Sequence, residues 1–107
     1  MDKKNVSKKI IQLVSSYGKL IRKNGLAINQ LILFGSYAKG LFRKSSDIDV
    51  AVISKGLEDE HAMQIKLSKL TWDFDVRIEP HPISFSDYVK NESPFIAEIR
   101  KTGIRVI

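Results

Sequence analysis

Two aspartates one residue apart, Asp47 and Asp49, lead directly into the apolar run Val50-Ala51-Val52-Ile53. On a strand, side chains at i and i+2 leave the same face about 6–7 Å apart, so this pair presents two carboxylates together. Like charges that close repel each other, and a divalent cation relieves the repulsion. Oxygen donors without cysteine or histidine beside them suit a hard ion, Mg2+ before Mn2+. A third acid on a neighbouring strand would extend one ion site to two, and two ions can activate a hydroxyl and stabilise a leaving pyrophosphate. Residues 71–79 supply the candidates, with Asp75 at the centre and Asp73 and Glu79 on the same side of the alternation.

Separated from Asp47 by ten residues, the pair Gly35-Ser36 closes another apolar run. A strand that breaks at Gly-Ser before a short helix leaves backbone N–H groups free to bind phosphate oxygens. The Ser36 hydroxyl can cap that helix or donate to the same phosphate. Gly35 permits close approach of a ligand, and Gly40 an exit turn. Lys39, Arg43 and Lys44 would place positive charge beside a polyphosphate. The Gly-Lys-Ser/Thr ending of a P-loop is absent, which excludes that class of nucleotide site.

The flanking elements follow from periodicity. Ile10, Leu13, Val14, Tyr17, Leu20 and Ile21 recur at helical spacing and stop at Asn24-Gly25, a pair suited to a left-handed helix end. Residues 28–34 are branched and apolar and too short for a typical helix, so they predict a buried strand. Ile48, Val50 and Val52 alternate with Asp47, Asp49 and Ala51, giving a strand with two chemically different faces. A helix is expected over 58–70, with acids at its start and Lys66 and Lys69 near its end. Residues 72–79 alternate Trp72, Phe74, Val76 and Ile78 against Asp73, Asp75, Arg77 and Glu79, and predict a strand that Pro80 and Pro82 stop. Ser93-Pro94 starts a last helix, Gly103 ends it, and 104–107 could form an edge strand. The order predicts one α/β or α+β domain over residues 1–107.

Bulk properties bound the function. The chain has 107 residues, no cysteine and a net charge of +6. Residues 1–46 carry ten Lys/Arg against one acid, whereas residues 47–107 carry eight against eleven, so the sign changes at the aspartates. The basic half could attract nucleic acid, nucleotide phosphates or an acidic partner. For residues 1–24 a solvated lysine-rich helix face is the simpler reading. No apolar run nears the ~20 residues of a membrane span. These features suit a soluble, cytoplasmic protein without a membrane partner. Arg77 shares the predicted strand face with Asp75 and reads as its ion-pair partner. His81, between two prolines, reads as too isolated for a metal role, and Trp72 reads as core.

Gly35-Ser36, ten intervening residues and then Ser46-Asp47-Ile48-Asp49-Val50 resemble the signature of the DNA polymerase β-like nucleotidyltransferases. Phe74-Asp75-Val76 resembles that family's third-carboxylate strand, and the small size resembles its minimal members. The resemblance implies a small mixed sheet with helices against one side. It implies two Mg2+ (or Mn2+) on Asp47, Asp49 and Asp75, and an NTP, ATP foremost, with phosphates on Gly35-Ser36. It further implies transfer of NMP to an acceptor hydroxyl with release of pyrophosphate, Asp75 taking the proton. Many minimal members stand beside a HEPN-domain protein, and some are antitoxins that adenylylate its tyrosine; nucleic acid is not expected as the primary partner. The competing readings are a non-catalytic module that neutralises a protein or contacts nucleic acid, and an antibiotic-modifying nucleotidyltransferase.

Overall fold

The computed structural model describes residues 7–43 and 46–107. Helix α1 (Lys8–Lys23) leads into strand β1 (Gln30–Phe34) and the single-turn helix α2 (Ser36–Lys39). Strand β2 (Ile48–Ser54), helix α3 (Glu60–Trp72) and strand β3 (Ile78–Ser84) follow. Helices α4 (Phe85–Lys90) and α5 (Pro94–Thr102) precede a two-residue strand β4 (Ile104–Arg105). The four strands form one mixed sheet in the order β3-β2-β1-β4. β1 runs antiparallel to both its neighbours, and β2 and β3 run parallel.

Each face of the sheet has its own core. Ile10, Val14, Tyr17 and Ile21 of α1 and Leu67 of α3 pack on Leu31, Leu33, Ile48, Val50 and Val52. On the other face Ile96 and Ile99 of α5 cover Ile32, Phe34, Ala51 and Ile53. Helices therefore lie on both sides of the sheet rather than on one. The alternation of β2 explains this: beyond Asp49 its second face carries Ala51 and Ile53, fully buried, and needs an apolar lid. Burying an Ile or Leu side chain contributes about 1.5–3 kcal/mol, so neither face could stay bare. The two helices of the first face are also tied directly, since the buried Tyr17 hydroxyl donates to the Leu67 carbonyl at 2.8 Å. Burial pushes that phenol's pKa well up.

The stretch from 71 to 84 departs from the sequence expectation. α3 continues through Trp72, which is 67% exposed rather than core. Residues 73–77 turn, and the strand starts at Ile78 and runs through both prolines. Asp75 fixes the turn by accepting from the Arg77 N–H at 3.0 Å and from its guanidinium at 3.1 and 2.8 Å. The prolines are tolerated because β3 is an edge strand. The Pro80 carbonyl faces away from β2 and accepts from Gln64 Nε2 of α3 at 2.8 Å. A residue of a parallel strand points its N and its carbonyl to one side, so no bond to β2 is lost where the N–H is missing. Among the described residues, no helix is long and apolar enough to cross a membrane.

Candidate active site

Asp49 sits at the meeting point of three segments. In the β1–β2 register it lies opposite Phe34, the residue before Gly35, and in the parallel register it lies opposite Glu79. Gly35 has φ 74° and ψ −152°, a conformation open almost solely to glycine. A Cβ placed there would collide with Asp49 Oδ2 and come within 3.3 Å of its carboxyl carbon. The glycine thus serves both the backbone geometry and the close approach of the carboxylate. Gly35 is the N-cap of α2, and no side chain caps that turn. Ser36 is accordingly the first helical residue, its hydroxyl not engaged as a cap.

β3 completes the cluster. Glu79 and His81 stand on the face of Asp49, by register and by contact. His81 Nε2 lies 3.2 Å from Asp49 Oδ1 and 3.8 Å from Glu79 Oε1. With Asp49 ionised, the short contact makes His81 Nε2–H the donor. Asp47, exposed just before β2, is a further acid in contact range of Glu79. Glu79 is pushed above its usual carboxylate range, first by partial removal from water and then by that contact. The charges of Asp49 and Asp47 add to the rise, and that of His81 opposes it. Asp49, Glu79 and His81 therefore converge, with Asp47 beside them, and this crowding adds to the rise of the Glu79 pKa.

The donor set fits a divalent cation. Asp49, Glu79 and His81 each offer one ligand atom, and these atoms lie within 4.8 Å of one another. The third acid at Asp49 is Glu79, not Asp75. Asp75 lies in the turn before β3, its two oxygens taken by Arg77, and that pairing holds its pKa below the usual range. The shift follows from the displaced strand start: residue 79, not 75, is level with Asp49. Asp73 caps the C-terminus of α3 and is exposed.

The basic candidates are spread more widely. Lys39 pairs with Glu98 of α5 at 3.0 Å. Arg43 is exposed in the loop after α2, where its backbone N–H donates to Ser46 Oγ at 2.7 Å. Lys44 lies outside the described residues. Tyr37 of α2 is buried and stacks on Phe42, with ring centroids 4.5 Å apart. His81 in turn is held edge-on against Phe34 at 5.1 Å and tilted against Phe95 of α5 at 5.8 Å. A cleft of about 580 Å³ opens beside it, between Gln64 of α3 and Phe95 of α5. In the sequence His81 reads as too isolated for a metal role, although Glu79-x-His81 repeats the spacing of Asp47-x-Asp49 on the next strand.

The profile of the family described as polymerase beta, nucleotidyltransferase matches residues 8–107. The chain belongs to this nucleotidyltransferase family and is an enzyme of that class. A Methanocaldococcus jannaschii protein bearing the name protein adenylyltransferase is 32% identical over 103 residues, covering 91% of this chain and 98% of that one. A crystal structure of a Sulfolobus solfataricus protein described as a nucleotidyltransferase superposes with a TM-score of 0.66 at 15% identity. That likeness spans 91% of this chain and 78% of the other and concerns the fold. A structure described as a toxin–antitoxin with AMP-PNP is similar at TM-score 0.64 and 25% identity, over 87% and 72% of the two chains. The nucleotidyltransferase fold accounts for the mixed sheet, with the acid cluster at the end of β2 that adjoins Gly35.

Proposed function

We propose that this nucleotidyltransferase moves AMP from ATP to a hydroxyl of a protein acceptor, with Asp47, Asp49 and Glu79 as its acidic centre. The observation that carries the reading is the Asp49 carboxylate, set between the backbone of Gly35 and the Glu79 side chain. It joins an uncapped Gly-Ser turn, where phosphate oxygens would be bound, to an acid cluster fit for cations. When bound, Mg2+ would neutralise the phosphates and favour the ionised acceptor oxygen.

The chain's own groups do the rest. Backbone N–H groups at Ser36 and Tyr37 would hold the β- and γ-phosphates, with Arg43 and Lys44 as further positive charge. The acceptor oxygen attacks the α-phosphorus, a new O–P bond forms, and the bond to the β-phosphate oxygen breaks to release pyrophosphate. Glu79, whose raised pKa makes its ionised carboxylate the stronger base, would receive the acceptor's proton. A protein acceptor accords with a relative named as a protein adenylyltransferase and with a neighbour described as a toxin–antitoxin. Within that reading the acceptor is a tyrosine of a HEPN-domain toxin and this chain its antitoxin.

The test uses α-labelled ATP, Mg2+ and the product of the adjacent gene. Label should appear on a tyrosine of that protein and disappear with Asp47→Asn combined with Asp49→Asn. Transfer that survives the double substitution would overturn the assigned centre.

A further inference from the structure

His81 is not needed by the proton and phosphate transfers above, yet its ring is packed between two aromatic rings at the site. Ala51 stands opposite it in the β2–β3 register, and that small residue leaves the ring room over β2. Phe34 and Phe95 flank the imidazole at 5.1 and 5.8 Å, so its nitrogen is aimed by packing. Nε2 is 3.2 Å from Asp49 Oδ1 and 3.8 Å from Glu79 Oε1. Adjacent ligand positions of an octahedral ion with bonds of about 2.1 Å lie about 3 Å apart. The observed nitrogen–oxygen spacing is therefore already close to that of two neighbouring ligands. Only the proton on Nε2 stands in the way, and the other tautomer carries it on Nδ1.

We propose that His81 Nε2 is a direct ligand, with Asp49 and Glu79, of a divalent ion at this site. The inference rests on the reading that the acid cluster binds cations, and it names the donor that sets their selectivity. An all-oxygen set accepts Mg2+ readily, whereas an imidazole adds a ligand that Mn2+ and later transition ions bind more strongly than Mg2+ does. The site is thus a mixed nitrogen–oxygen centre that holds Mn2+ and later transition ions more tightly than Mg2+.

Pulsed electron paramagnetic resonance of bound Mn2+ tests this directly, because an imidazole ligand imprints a nitrogen coupling on the ion. The chain has two histidines, so the signal has two possible sources, and His61→Gln and His81→Gln separate them. The probe is Mn2+ with inorganic tripolyphosphate, which fills the phosphate position without contributing nitrogen. The expected result is an imidazole coupling in the wild type and in His61→Gln that vanishes in His81→Gln. Mn2+ affinity should fall on the order of tenfold in His81→Gln while Mg2+ affinity changes much less. Bound Mn2+ without imidazole coupling would overturn the ligand assignment and leave His81 as a hydrogen-bond donor to Asp49, with the cation site intact. Absence of any Mn2+ binding in the wild type would overturn both this inference and the proposed centre.

Discussion

The Asp49 carboxylate occupies the space that a side chain on residue 35 would need, its carbon 3.3 Å from the position of that Cβ. The glycine of the phosphate turn and the central acid are therefore one device. Neither can change without the other moving.

Gly35→Ala would test that coupling. Alanine meets two penalties, the strained φ of 74° and the collision with Asp49. Backbone strain of this kind costs about 1–3 kcal/mol. Displacing a positioned carboxylate by an ångström costs on the order of 100-fold in rate. Folding should survive with a lowered melting temperature, and nucleotidyl transfer should drop by about two orders of magnitude. Transfer at the wild-type rate would show that Gly35 does not position Asp49.

Exchanging the acids of the third strand separates the geometric assignment from the sequence-based one. Glu79→Gln removes a ligand and the proposed proton acceptor, and transfer should fall by at least about 100-fold. Asp75→Asn should leave the rate essentially unchanged, since Asp75 is held in the turn by Arg77. Steady-state rates of the two variants decide the matter, and an inactive, folded Asp75→Asn would reverse the assignment.

The displacement of Asp75 from the expected strand has a physical origin. Residues 72–78 alternate apolar and polar as a strand would, but Trp72, Phe74 and Val76 are exposed, so the alternation marks no buried face. Helical hydrogen bonding carries α3 into the start of that pattern, and the Asp75–Arg77 turn consumes the remainder. Pro80 and Pro82 looked like a stop because their neighbourhood was unknown; only strand order shows that β3 is an edge. By contrast, the first helix, the Gly35 break and the strand after Asp47 were legible, because each rests on local periodicity or on a residue with one conformational role. That Gly35 and the aspartates share one site was implied by the family resemblance. Contact between Asp49 and His81 depends on register, which no local pattern states.

Asp75 should instead reveal itself in acid stability. Its pKa is lowered in the folded chain, first by the hydrogen bond from Arg77. Its contribution is thus present above the unfolded carboxylate value and is lost as pH falls through the lower folded value. Arg77 is 46% exposed, so solvent screening limits the contribution to about 1 kcal/mol or less. Denaturant titrations should find Asp75→Asn less stable than wild type near neutrality, the gap closing as pH falls below the ordinary carboxylate range. A gap that persists or widens in acid would mean that the pair is not the cause.

Tyr17→Phe probes the α1–α3 contact without touching the site. It removes the buried O–H that donates to Leu67 and leaves the ring packing in place. A lost hydrogen bond of this kind costs about 1 kcal/mol. The variant should unfold at lower denaturant concentration with an unchanged slope and keep its transfer rate. Equal stability of the two proteins would show that the bond contributes nothing net.

The outer edge of β3 supports a prediction about assembly. Pro80 points its nitrogen and carbonyl away from β2, and Pro82, two residues along, has the same orientation. Both positions therefore withhold the outward N–H that another strand would bind, and Gln64 occupies the Pro80 carbonyl at 2.8 Å. Unpaired strand edges are templates for strand addition unless they are covered or blocked. Replacing both prolines with valine would restore two outward donors and add two residues that favour strands. Sedimentation velocity over a concentration series should show the double variant self-associating more than wild type, while single replacements have smaller effects. An unchanged association state would mean that the flanking helices, not the prolines, protect the edge.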